Sequence, residues 1–302
     1  MRVAVCYYGL LRSYDKVEKT HDTHIFDVLR KHNIEFDVFA HTWKIHQTKN
    51  YHAPHDLSGV EIQNKNIALL LTKNIQVLEI TDQDHYYSQF GKNLYNLKPY
   101  NPALQKSRTI PEACAHYRIR SSIFESYIAQ LSGHRDMPLI IYEYNNTQYV
   151  VSDENFNQYI RMICGLESLK RSVQLSYQNN KVYDYYLIIR PDVLVYEDID
   201  IHSLLSLSND TILLMDEKSY NGYNDRAAIC PSRLVQTFAY RVDRILEYRK
   251  YRMENLDTYN VFATDYPEDY LKYCLDSAHV NVKKHDFLKF DILRSNNKIV
   301  HT

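Results

Sequence analysis

A charged tripeptide interrupts the sharpest strand pattern of the chain. Tyr185 to Ile189 reads Tyr-Tyr-Leu-Ile-Ile, Arg190-Pro191-Asp192 follows, and Val193-Leu194-Val195 resumes the pattern. A short apolar run of this kind suits a buried central strand. A charged pair at its end therefore lies at the carboxyl edge of a sheet, where open α/β sheets bind ligands. Asp192 can there hold a divalent cation or a ribose hydroxyl. Arg190 can take a phosphate, or negative charge developing on a leaving group, through paired hydrogen bonds. A purely structural Arg–Asp pair accounts for the same residues and stays open.

Other residues have types suited to the same edge. Gly9 follows the first apolar run, Arg2 to Cys6, and lets backbone approach a ligand closely. Arg12 comes next, at the start of a helix whose N-terminal dipole favours phosphate. The second run, Phe36 to Ala40, ends in His41-Thr42-Trp43, which contains the only tryptophan. His41 and Trp43 can flank a base or ribose, although a lone Trp is as readily core. Asn224 and Asp225 precede a sudden apolar stretch and can meet sugar hydroxyls or a metal, with turn chemistry as the plainer account. Glu268, in a helix opened by Pro267, can serve as a general base, or can simply stabilise the helix start. His285 and Arg294 come last and can fold back onto a diphosphate.

Holding these residues together needs a parallel sheet. Ser13 can cap a helix with Val17, His21, Ile25, Val28 and Leu29 on one face, between the strands at 2–6 and 36–40. Strand, helix, strand within about 40 residues is a βαβ unit, so a mostly parallel sheet flanked by helices is expected. Further strands are expected at Ile75–Ile80, Thr211–Met215, Arg226–Cys230 and Val280–Val282. A hairpin should turn at Asn145-Asn146. Helices are expected from Pro111 to near Gly133, from Asp153, over about 232–251 and over about 267–277. No linker or repeat divides the chain, so one α/β domain over 1–302 is the simplest organisation. A polar excursion at about 82–110 is its one long departure.

Composition excludes several classes. A net charge of −1 leaves no global field for nucleic acid or an anionic membrane, so an anionic ligand must be held by local arginines. Six glycines in 302 residues argue against a glycine-rich phosphate loop. The 28 tyrosines suit stacking on sugars or bases, and equally suit a coding bias. Five scattered cysteines without metal-ligand spacing read as reduced thiols, and no run is long enough to span a bilayer. A cytoplasmic protein is expected.

In their order along the chain these motifs resemble a group of GT-A-like glycosyltransferases from bacterial surface-polysaccharide loci and giant viruses. The resemblance rests on Gly9-Leu10-Leu11-Arg12-Ser13, on Asp37 to Trp43, and on Arg190-Pro191-Asp192 where the group's wider class carries D-x-D. It continues through Asn224 to Cys230, Pro267-Glu268 and Arg294. It implies a GT-A-like, Rossmann-like fold, a nucleotide-sugar donor, a glycan or lipid-linked saccharide acceptor, and transfer with or without Mn or Mg at Asp192. It also implies Gly9, Arg12, His41 and Trp43 at the nucleotide end, with Asn224 and Arg294 near the donor. Arg190 and Asp192 would hold the diphosphate, and Glu268 or Asp225 would be the base. Two other readings compete: a non-catalytic nucleotide-sugar or glycan-binding module, and a metal-dependent phosphoester hydrolase using Asp192, Asp225 and His285.

Overall fold

The computed structural model describes residues 1–44, 66, 70, 75–82, 139–144, 147–217, 219, 222–245, 247–248, 251, 267–293 and 299–300, with 139–161 through their backbone only. By contact density the chain divides into two compact units. One comprises Met1–Asp84, Met162–Tyr248 and Pro267–Thr302, the other His85–Arg161 and Arg249–Tyr266. In the second unit the expected hairpin pairs Leu139–Tyr144 antiparallel with Thr147–Ser152. The expected excursion beyond residue 82 and the helix from Pro111 lie outside the described residues.

The first unit is an α/β layer structure around a seven-stranded, mostly parallel sheet. Its strands are β1 (Arg2–Gly9), β2 (Glu35–Lys44), β3 (Ile75–Asp82), β6 (Tyr185–Ile189), β8 (Thr211–Leu214), β9 (Ala227–Pro231) and β10 (Asn281–Lys284). β4 and β5 are the two hairpin strands of the second unit. The order across the sheet is β10-β8-β9-β6-β1-β2-β3, and only β9 runs antiparallel to its neighbours.

The centre of the sheet explains its own sequence. Six consecutive residues of β1 are buried, as a strand covered on both faces requires. Val3, Val5 and Tyr7 point into one apolar cluster, and Ala4, Cys6 and Tyr8 into the other, with the strand period of two. The first cluster is closed by α1 (Tyr14–His21), a π-helical turn at Asp22–Phe26 and α2 (Asp27–Lys31), which bury Val17, His21, Ile25, Val28 and Leu29 as the pattern predicts. The second is closed by α3 (Asp153–Tyr177), α5 (Val235–Ala239) and α6 (Pro267–Ser277), while α4 (Ile201–Leu205) packs on the first. Cys6, Cys164, Cys230 and Cys274 are buried free thiols, and no helix among the described residues is long and apolar enough to cross a membrane.

Three local expectations change. Ser13 precedes α1, but only its carbonyl serves the helix, accepting from Lys16 N–H at 3.0 Å; its hydroxyl makes no cap bond. The helix expected over about 232–251 is broken, with α5 followed by a 3₁₀ turn at Tyr240–Arg244. Val193–Val195 (β7) does not prolong β6. It leaves the main sheet and pairs antiparallel with Phe290–Leu293 (β11), which also pairs with Ile299–Val300 (β12). Pro191 offers no N–H to a continuing ladder, which is why the chain leaves the sheet there.

His21 ties the first layer together. Its Nε2 donates to the Val193 carbonyl at 2.6 Å, so Nδ1 accepts from the Tyr7 hydroxyl, also at 2.6 Å. Only the neutral ring fits, and burial lowers its pKa from 6.5 to about 4, outweighing the Val193 carbonyl. Burial, then the charge of Arg171, lowers His41 to about 3. A folded pKa below the unfolded value means that the unfolded chain takes up the proton first as pH falls. Stability from these histidines is complete above pH 6.5 and is lost towards pH 4, by roughly 3 kcal/mol for His21 alone. Urea unfolding at a series of pH values reads this directly; a free energy unchanged across that interval would contradict it.

Candidate functional site

Strand register brings three chain segments to one edge. Tyr7 pairs with Ile189, and Ile189 with Ala227. Because β9 is antiparallel to β6, its beginning meets the end of β6. Tyr8 and Gly9, Arg190 to Asp192, and Asn224 to Arg226 therefore converge at the carboxyl edge, one strand spacing (about 4.8 Å) apart. The strand order reverses between β1 and β6, and such a switch point is where open α/β folds receive ligands.

Arg190 and Asp192 form a two-point fork. Nε donates to Oδ1 at 2.9 Å and Nη2 to Oδ2 at 2.7 Å. Asp192 is 1% exposed, and Leu293 N–H pins its carbonyl at 2.9 Å. The Arg190 side chain keeps 27% of its surface exposed, while its Nε–Nη2 edge is clamped by Asp192. Burial opposes the guanidinium charge, but Asp192 outweighs it and raises the pKa further.

Asp225 connects this fork to Glu268: its charge acts on the Arg190 guanidinium and on the Glu268 carboxyl. Glu268 is the second residue of α6 and is buried. Its carboxyl is pushed up to about 7, first by burial and then by the negative charge of Asp225, with Arg226 opposing. Tight backbone packing holds it there. Tyr223 N–H donates to the Glu268 carbonyl at 3.0 Å, and a Cβ at Gly222 would overlap that same carbonyl, so only glycine fits. Asn224 is buried and spends both ends of its amide on the loop: Nδ2 donates to the Glu217 carbonyl at 2.6 Å, and Oδ1 accepts from Arg226 N–H at 2.9 Å. The Tyr8 hydroxyl donates to the Asp225 carbonyl at 2.7 Å. Arg226 Nη1 is shielded from solvent and has no hydrogen-bond partner.

The residues expected at a nucleotide end divide into two groups. Gly9 has φ +93, a value that glycine tolerates and other residues rarely adopt, and a Cβ there would meet nothing within 4 Å. Arg12 lies partly buried in the turn between β1 and α1. His41 and Trp43, in contrast, are core residues rather than walls of a cleft. His41 Nδ1 is 2.8 Å from Ser168 Oγ and Nε2 is 3.0 Å from Thr81 Oγ1; Trp43 Nε1 donates to the Cys164 carbonyl at 3.0 Å. Ser168 also accepts from Gly9 N–H at 2.7 Å, so His41 supports the β1 turn from beneath. Around that turn Ser13 Oγ, Thr42 Oγ1 and Asn66 Oδ1 are buried without partners; Asn66 Nδ2 donates to the Leu11 carbonyl at 2.7 Å, which fixes its amide.

Sequence reasoning missed four contributors. Tyr8 and Ser168 carry no local signal, and Arg226 was legible only as part of a longer stretch. Arg241 reads as a surface residue but is 1% exposed, its guanidinium lying 4.5 Å over the Phe238 ring with Nη1 donating to the Phe238 carbonyl at 2.6 Å. His285 pairs with Asp200 at 3.0 Å. Among the described residues no three His, Cys, Asp or Glu side chains group to hold a metal ion, so the trio Asp192, Asp225 and His285 does not form a metal centre. Arg294 lies outside the described residues.

No family model matches the chain, and no curated protein matches it. Among solved structures, mouse xyloside xylosyltransferase 1 in its apo form is similar over 94% of this chain and 84% of its own, with 9% identity and a TM-score of 0.35. A likeness at that level carries no argument about chemistry.

Proposed function

We propose that the chain is a glycosyltransferase that moves a sugar from a nucleotide-sugar donor to a hydroxyl of a glycan or lipid-linked saccharide. The observation that carries this reading is a partly exposed arginine, clamped on one edge by Asp192 at the carboxyl edge of a largely parallel sheet, linked through the charge of Asp225 to a carboxyl pushed up to about 7. The N–H groups of Arg190 not spent on Asp192 would bind the diphosphate and stabilise its charge as it leaves, with the charge of Arg226 behind them. Ionised Glu268, sharpened by Asp225, would take the acceptor proton while the acceptor oxygen bonds to the anomeric carbon and the carbon–phosphate oxygen bond breaks. Gly9, Arg12 and the unpartnered polar atoms near them suit the nucleotide end. His41, Trp43 and Asn224 would act by positioning, and Arg294 is a further candidate for the diphosphate.

The deciding measurement is a panel of UDP-, GDP-, CMP- and dTDP-sugars scored for thermal stabilisation and for hydrolysis. Stabilisation with turnover by one of them is expected. Stabilisation without turnover would favour a binding module, and no stabilisation by any would overturn the proposal.

A further inference from the structure

We infer that this edge binds a nucleoside diphosphate through its guanidinium groups, with no divalent cation required. The inference rests on the proposed function and concerns what neutralises the phosphates. A hard cation needs several oxygen ligands, at about 2.0–2.2 Å for Mg. The residues here do not supply them. Asp192 already has Oδ1 and Oδ2 in the fork with Arg190, at 2.9 and 2.7 Å, and is 1% exposed. A cation on the same carboxylate would lie within a few ångströms of a fixed positive charge, in a poorly solvated place where repulsion is weakly screened. Asp225 lies in the field of Arg190 as well, and no third ligand completes a cluster among the described residues.

The donors for an anion, by contrast, are in place. A guanidinium has five N–H groups. Arg190 spends two of them on Asp192, which leaves three on a side chain that is 27% exposed. Asp192 is thereby a positioning residue: it aims the arginine that touches the ligand. The arginine in the first position of the motif replaces the ion rather than one of its ligands.

Calorimetry of the full chain with UDP, GDP, CDP and dTDP, each in excess EDTA and in excess MnCl₂, tests this. One nucleotide should bind with the same Kd in both buffers, within about twofold. Arg190→Lys keeps the charge opposite Asp192 but loses the fork, and should weaken binding about 10- to 100-fold in both buffers. Asp192→Asn should weaken it less than Arg190→Lys. Binding seen only with MnCl₂, and abolished by Asp192→Asn, would overturn the inference and leave the transferase reading standing. Binding in neither buffer would overturn both.

Discussion

Replacing Glu268 with Gln should lower the rate of sugar transfer by about 10²–10⁴-fold while leaving donor binding nearly unchanged. The amide keeps the shape of the side chain but cannot accept the acceptor proton. The wild-type rate should rise with pH through a midpoint near 7, because burial and Asp225 hold the carboxyl there and only its ionised form is a base. The variant should lose that limb. Stability should move the other way. A carboxyl whose folded pKa is raised favours the fold in its neutral form; that contribution is complete below the ordinary value of 4.5 and is lost as pH rises through about 7. Above that pH, Glu268→Gln should be more stable than wild type, by roughly 3 kcal/mol. A variant of full activity with an unchanged pH profile would remove Glu268 from the chemistry.

The second large effect falls on the fork, and it is asymmetric. Arg190→Ala removes the guanidinium from which both Asp192 oxygens accept while the carboxylate stays buried, which should cost about 3 kcal/mol of stability. Asp192→Asn leaves instead an arginine with 27% of its side chain exposed, which water can solvate, so the loss should be nearer 1 kcal/mol. Replacing both residues with apolar side chains should recover much of the stability and none of the function. Transfer by Arg190→Ala should fall by about 10²–10³-fold, as for the loss of one preorganised donor to a developing anion. Denaturant titrations near neutral pH, run beside turnover measurements, separate the two effects. Equal losses from the two single variants would contradict the buried fork.

Glu268 and the fork differ in how visible they are before folding. The apolar runs of β1, β2 and β6 and the βαβ opening are legible because a strand buried on both faces must be apolar throughout. The amphipathic stripe of α1 and α2 is legible for a similar reason, since its period fixes a face. Arg190 and Asp192 could therefore be located at a sheet edge from their neighbours alone. Gly9 was legible too, through the backbone conformation that a turn after β1 needs.

What the pattern does not encode is strand direction and which side chains meet. β9 reads as one more apolar strand, yet its antiparallel entry is what brings Asp225 and Arg226 to Arg190. His41 and Trp43 have types that suit a ligand, but the strand alternation turns them towards α3, where Ser168 and the Cys164 carbonyl take their polar atoms. Glu268 looked like an ordinary acid at a helix start. Its affinity for a proton comes from burial beneath the Gly222 turn and from Asp225, 43 positions away in the chain. Local periodicity alone sets the layers, the buried strands and the edge on which a site would lie. That Asp192 clamps Arg190 and that the Glu268 carboxyl is pushed up to about 7 follows from packing, because desolvation and the field of distant charges exist only once the chain has folded.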